Sequence, residues 1–132
     1  MKLVVNVDGG ARGNPGPAAI GVVVSEPGGG VLQEVSEPIG IATNNVAEYR
    51  ALLRGVTTAR SFGADELEII GDSELVARQV TGAYRVKNAA LKPLHDEALR
   101  LLAGVRWRMR TVPREQNARA DALVNQALDE LC

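Results

Sequence analysis

The sequence predicts one α/β domain over residues 1–132, with a mixed sheet of five strands flanked by helices. Three observations carry that expectation. Five short segments have the apolar or alternating pattern of strands and are bounded by Gly, Pro or Asp, while four others repeat their apolar residues every three or four positions. The segments run β β β α β α α β α, so the first strands form a meander and the later ones alternate with helices, as in one sheet covered by helices. No repeat or linker divides the 132 residues, a length that suits a single hydrophobic core.

The first strand is the apolar run Leu3-Val4-Val5-Asn6-Val7, ended by Asp8. Residues 18 to 26 and 31 to 40 are two β-like runs joined by Pro27-Gly28-Gly29-Gly30, the composition of a hairpin connection. From Asn44 to Phe62 the pattern is helical, with Val46, Leu52, Leu53, Val56 and Ala59 on one face and Gly63 as the stop. A short apolar strand, 67 to 71, comes next. Asp72-Ser73 then opens a second helix that runs through Val80 and ends at Gly82. Residues 89 to 103 read as a third helix, with Leu91, Leu94, Ala98, Leu101 and Leu102 on one side and Pro93 tolerated in its first turn. Val105, Trp107 and Met109 alternate with Arg106, Arg108 and Arg110, the period-2 signature of a half-buried strand that Pro113 ends. The last helix spans Gln116 to Leu131.

Composition narrows the function classes. Hydrophobic residues make up 45% of the chain and charged residues 23%, which sets aside a disordered segment. No stretch approaches the roughly 20 apolar residues of a membrane span. Met1-Lys2-Leu3 enters a strand without a signal-peptide pattern, so the expected setting is cytoplasmic, with no membrane partner. The single cysteine, Cys132, ends the chain, and a thiolate metal cluster within one chain is thereby excluded. Any metal must be held by oxygen. The net charge of −1 speaks at first against a polyanionic partner. Yet setting four acidic residues aside as metal ligands leaves a basic surplus, and bound cations would reverse the charge at the site itself.

Those four are Asp8, Glu48, Asp72 and Asp121, each expected at the same end of the sheet: after the first strand, early in the first helix, after the fourth strand and in the last helix. Separated carboxylates brought together by a fold suit a hard divalent cation, which takes oxygen ligands and leaves room for waters and phosphate. Singly, each has an ordinary explanation. Asp8 before two glycines reads as a turn residue, Asn45-Val46-Ala47-Glu48 as a capping box and Asp72 as a helix cap. Three unrelated caps, however, have no reason to converge with Asp121 at one sheet edge.

Four motifs in order carry a resemblance. Asp8-Gly9-Gly10-Ala11-Arg12-Gly13-Asn14-Pro15-Gly16-Pro17, Thr43-Asn44-Asn45-Val46-Ala47-Glu48-Tyr49, Asp72-Ser73, and Val112-Pro113-Arg114-Glu115-Gln116-Asn117-Ala118-Arg119-Ala120-Asp121 together resemble the type 1 ribonucleases H over nearly the whole chain. The likeness is to the compact bacterial and archaeal branch. Gly82-Ala83-Tyr84-Arg85-Val86-Lys87-Asn88 leads almost directly into the third helix, leaving no room for the basic protrusion of some members. The fold implied is ribonuclease H-like, three antiparallel strands followed by two parallel additions. The activity implied is hydrolysis of the RNA strand of RNA/DNA hybrids by two-metal-ion catalysis, giving 5′-phosphate and 3′-hydroxyl ends.

The resemblance further implies that Asp8, Glu48, Asp72 and Asp121 hold two Mg2+ ions, with Mn2+ as an alternative. Asn14, Asn44 and Asn45 would meet sugars and base edges in the minor groove, and Glu48 a 2′-hydroxyl. Thr43 and Asn88 match residues that hold a phosphate of the DNA strand, and Tyr84 one that stacks on a DNA sugar. Two departures stand out. Ile41 occupies a place where several relatives have arginine, and the loop before Asp121 has no histidine, which leaves Arg114 nearest to assist. A monomer that needs no protein partner is expected. The only histidine, His95, falls within the third helix away from these motifs, and the arginines at 106, 108 and 110 suit a solvated edge strand. The rival readings are a nuclease of the same fold acting on duplex RNA or branched DNA, and a non-catalytic nucleic-acid-binding domain.

Overall fold

The computed structural model describes residues 1–131; Cys132, the single thiol, lies outside them. Strands β1 (Lys2–Ala11), β2 (Gly16–Ser25) and β3 (Val31–Ala42) form an antiparallel meander. On the other side of β1, β4 (Glu66–Gly71) and β5 (Arg106–Thr111) add in parallel, giving the order β3-β2-β1-β4-β5. This is the expected sheet. Helices α1 (Asn44–Ser61), α2 (Glu74–Val80), α3 (Lys92–Leu102) and α4 (Ala118–Asp129) flank it.

Alternation along the strands decides what each face holds. Leu3, Val5 and Val7 of β1, Ile20, Val22 and Val24 of β2, and Leu67 and Ile69 of β4 share one core with Tyr49, Leu52 and Val56 of α1 and Leu102 of α3. The opposite face of β2 presents Ala19, which packs on Val124, Ala127 and Leu128 of α4. Each fully buried aliphatic side chain of this kind contributes about 1.5–3 kcal/mol over its exposed state. Tyr49 is fully buried, and its hydroxyl donates to Gln79 Oε1 at 2.6 Å, tying α1 to α2. Across the other face, Arg119 donates twice to the Glu34 carboxylate at 2.6 and 2.7 Å, and Ser36 Oγ donates to the Leu123 carbonyl, tying α4 to β3.

Several boundaries differ from the sequence expectation. β1 continues past Asp8 to Ala11, because Gly9 and Gly10 pair with Ile20 and Ala19 of β2 instead of turning. α3 begins at Lys92, with Pro93 in its first turn, so residues 89–91 precede the helix. The last helix is split into a 3-10 turn, Arg114–Asn117, and α4 from Ala118. β5 is an edge strand, with exposed Arg106, Arg108 and Arg110 alternating with Trp107 and Met109 packed against the core. His95 sits on α3 with Nε2 3.1 Å from the Gln79 carbonyl of α2 and Nδ1 3.5 Å from Asp96 Oδ1. Among the described residues no helix is long and apolar enough to cross a membrane.

Candidate active site

β1 outruns its parallel neighbour. The pairing with β4 stops at Asn6↔Ile70, while β2 continues to pair with β1 through Ala11↔Ala18. Beyond Asn6 one edge of β1 is therefore free, and the acidic residues gather along it. Asp8 projects from this overhang and is 5% exposed. Asp72 follows the last residue of β4 directly. Glu48 comes from the second turn of α1, and its Oε1 accepts from Gly9 N–H at 3.0 Å, satisfying a backbone donor that β4 no longer reaches. Carboxylate oxygens of Asp8, Glu48 and Asp72 all lie within 4.8 Å of one another.

Two glycines let the helices come close enough. A Cβ on Gly9 would stand 2.3 Å from the Ala47 carbonyl, and one on Gly21, which pairs with Asp8 across the β1–β2 ladder, 2.2 Å from the Ala120 carbonyl. Gly9 thus admits the first turns of α1 beside β1, and Gly21 admits α4. Asp121, in the first turn of α4, lines the same cleft without joining the close cluster of three. Asn125 Nδ2 lies 3.2 Å from its carbonyl and 3.4 Å from its Oδ2.

The capping explanations for the acids fail on the geometry. Thr43 caps α1, its Oγ1 accepting from Val46 N–H at 3.2 Å, so Glu48 is too far along the helix to complete a capping box. Ser73 caps α2 in the same way, accepting from Val76 N–H, which leaves Asp72 free of that duty. Electrostatics set the cluster apart from ordinary surface acids. Burial pushes Asp8 up to about 9, and the charges of Glu48 and Asp72 add to the effect. Burial pushes Glu48 up to about 7 against the pull of the Gly9 amide. Arg114 Nε stands 3.7 Å from Asp72 Oδ2 at the rim, with its side chain 77% exposed. Three acids therefore meet with little compensating charge, in an open cleft of about 500 Å3.

The other residues singled out in the sequence divide into two groups. Asn44, Asn45 and Arg114 line the cleft. Asn14 joins them through Asn44, since Asn14 Oδ1 accepts from Asn44 N–H at 3.0 Å and Asn44 Oδ1 accepts from Ala11 N–H at 2.8 Å. Both side-chain oxygens are committed internally, which leaves both amide NH2 groups as donors. Thr43 stands at the helix cap with its hydroxyl proton uncommitted to that bond. Asn88 and Tyr84 stand apart from the acids, on the exposed segment before α3. Asn88 Oδ1 accepts from Ala90 N–H, and the Arg78 guanidinium lies 5.4 Å from the Tyr84 ring centre. Ile41 is 72% exposed. Sequence reasoning missed Gly21, which looks like any small strand residue, and Asn117, which falls inside the helix expected from Gln116 and is 2% exposed.

A family model described as reverse transcriptase-like matches residues 6–127. A ribonuclease HI of Halobacterium salinarum is 48% identical over 124 residues, covering 93% of this chain; the chain spans 62% of that relative's length. The crystal structure of an RNase H1 from the same archaeon superposes with a TM-score of 0.95 at 45% identity, over 98% of this chain and 99% of the other. An RNase H1 isolated from compost by a metagenomic approach, solved in complex with an RNA/DNA hybrid, superposes with a TM-score of 0.93 at 44% identity, over 98% of each chain. The family match, near-half identity over almost all of the chain and the close superposition place the chain in the type 1 ribonuclease H family.

Proposed function

We propose that residues 1–132 form a single catalytic domain, an endonuclease that hydrolyses the RNA strand of RNA/DNA hybrids with Mg2+, or alternatively Mn2+, to 5′-phosphate and 3′-hydroxyl products. The observation that carries the reading is the cluster of Asp8, Glu48 and Asp72, gathered within 4.8 Å, in which burial pushes Asp8 and Glu48 well above the ordinary carboxylate range. Such a cluster costs free energy unless a cation neutralises it. Its donors are all oxygen, which fits a hard divalent ion. When bound, such ions neutralise charge on the phosphate and lower the pKa of water.

Asp8, Glu48 and Asp72 would hold the metal, and Asp121 would close the cleft from α4. Asn14 and Asn44 keep their amide donors for the substrate because their oxygens are already used, and exposed Asn45 lies beside them. Short amide donors suit the shallow minor groove of a hybrid, where the 2′-hydroxyl distinguishes RNA from DNA. Glu48 would accept from that hydroxyl. Thr43 and Asn88 are assigned to a phosphate of the DNA strand and Tyr84 to one of its sugars. Arg114, beside Asp72, takes the auxiliary place that histidine fills in other members. The domain would act as a monomer that needs no protein partner. Because that substrate resides with the cell's nucleic acids, the reading places the domain in the cytoplasm. The compost RNase H1 that binds an RNA/DNA hybrid supports the substrate assignment.

Cleavage of matched hybrid, duplex RNA and branched DNA, each with and without magnesium, tests it. Magnesium-dependent cutting of the hybrid alone is expected. Equal cutting of duplex RNA or branched DNA would overturn the substrate, and binding without cutting would overturn the enzyme.

A further inference from the structure

Asn117 is one of four buried polar or charged side chains among the described residues, and the proposed chemistry does not use it. It stands at the N-cap of α4, a position where asparagine ordinarily accepts from the first-turn amides, yet it makes no such capping bond. Its side chain turns to the sheet. Asn117 Nδ2 donates to the Val7 carbonyl at 2.8 Å, and Asn117 Oδ1 accepts from Asn6 Nδ2 at 3.0 Å. Val7 and Gly9 flank Asp8 on the overhang. Their outward backbone groups have lost their partner strand, and two side chains from two helical segments replace it: Asn117 at the Val7 carbonyl and Glu48 at the Gly9 amide.

We propose that Asn117 is a positioning residue for the metal-holding carboxylates, a clamp that fixes the Asp8 segment of β1 and, through the start of α4, the distance from Asp8 to Asp121. The clamp is directional. Only the amide NH2 can donate to Val7, and the bond from Asn6 holds the amide in that orientation. Satisfying both groups away from water makes the contact stiff, whereas a missing partner would leave the buried Val7 carbonyl unpaired. A capping bond traded for two bonds to the sheet is what a role at the site requires. This inference rests on the reading of Asp8, Glu48 and Asp72 as metal-holding groups.

The test compares wild type with Asn117→Ala, with the isosteric Asn117→Asp, which cannot donate, and with Leu102→Ala, a core substitution in α3 remote from the cleft. Manganese affinity is measured by calorimetry without substrate, and kcat and KM on a hybrid. Both Asn117 variants are expected to lose about 10- to 100-fold in metal affinity and kcat, with KM changed by less than about twofold. Leu102→Ala should keep metal affinity and kcat while folded, whatever its fall in Tm. Should Asn117→Ala not fold, Asn6→Ala, at a half-buried position, should show the same pattern at smaller size. Wild-type metal affinity and kcat in the Asn117 variants, or equal losses in Leu102→Ala, would overturn the clamp. If wild type binds manganese but cuts no substrate, the proposed function fails, and the clamp stands or falls on metal affinity alone.

Discussion

Two groups of acids beside the same pair of strands, β1 and β4, behave in opposite ways. Glu66 and Glu68 of β4 lie in register with Lys2 and Val4 of β1 and with Arg106 and Arg108 of β5, and cations surround them. Arg110 donates to Glu68 at 2.8 Å, and Lys2 approaches it to 3.9 Å. The bond from Arg110 holds Glu68 below the ordinary carboxylate range. A few residues along, where β1 overhangs β4, Asp8, Glu48 and Asp72 meet with Arg114 at the rim, 3.7 Å from Asp72, and burial drives Asp8 and Glu48 upward. Identical chemical groups are thus paired with cations by the protein in one place and largely left without close cationic partners in the other. Under the proposed function, the contrast separates acids that serve the fold from acids that serve chemistry.

Substitution should separate the two groups most sharply. Asp8→Asn or Asp72→Asn is expected to lower hybrid-cleavage kcat by about a thousandfold or more, whereas Glu68→Gln should change it by less than about twofold. Steady-state rates at saturating magnesium decide this. Asp121 stands outside the close cluster, so Asp121→Asn should cost an intermediate amount, about 10- to 100-fold in the same assay.

Stability against pH should diverge as well. Asp8 binds its proton far more tightly folded than unfolded, so between the ordinary value of 3.8 and about 9 the folded state holds more protons, and stability falls as pH rises through that window. In chelator at pH 8, Asp8→Asn should therefore melt above wild type, on the order of 5 °C, with the difference closing near pH 4 and on adding magnesium. Glu68 has the reverse sign. Its contribution is present above the ordinary glutamate value and is lost as pH falls through its lowered folded value. The smallest effect follows from this: Glu68→Gln should cost less than about 1 kcal/mol by urea titration at pH 7, since its partners are largely solvated.

Much of this contrast was legible in the chain. Strand and helix patterns gave the element order, because apolar periodicity reports which faces are buried, and the ordered motifs around Asp8, Asn45, Asp72 and Asp121 marked the acids. The overhang was not legible. Gly9 and Gly10 look like a turn after Asp8, and only pairing with β2 keeps them in the strand. Gly21 and Asn117 escaped for a related reason: their roles depend on close approaches and bonds between residues some hundred positions apart, which local pattern does not encode. Pattern did recover the arginines of β5, since alternation with Trp107 and Met109 is a local signal.

Under the proposed function, the acids gathered at the overhang carry metal-dependent hydrolysis of RNA in a hybrid. Cleavage of an end-labelled RNA/DNA hybrid by wild type, Asp8→Asn and Glu68→Gln, across a magnesium titration, tests it most directly. Magnesium-dependent cutting of the RNA strand by wild type and Glu68→Gln, with none by Asp8→Asn, is expected. Wild-type turnover in Asp8→Asn at saturating magnesium would contradict it.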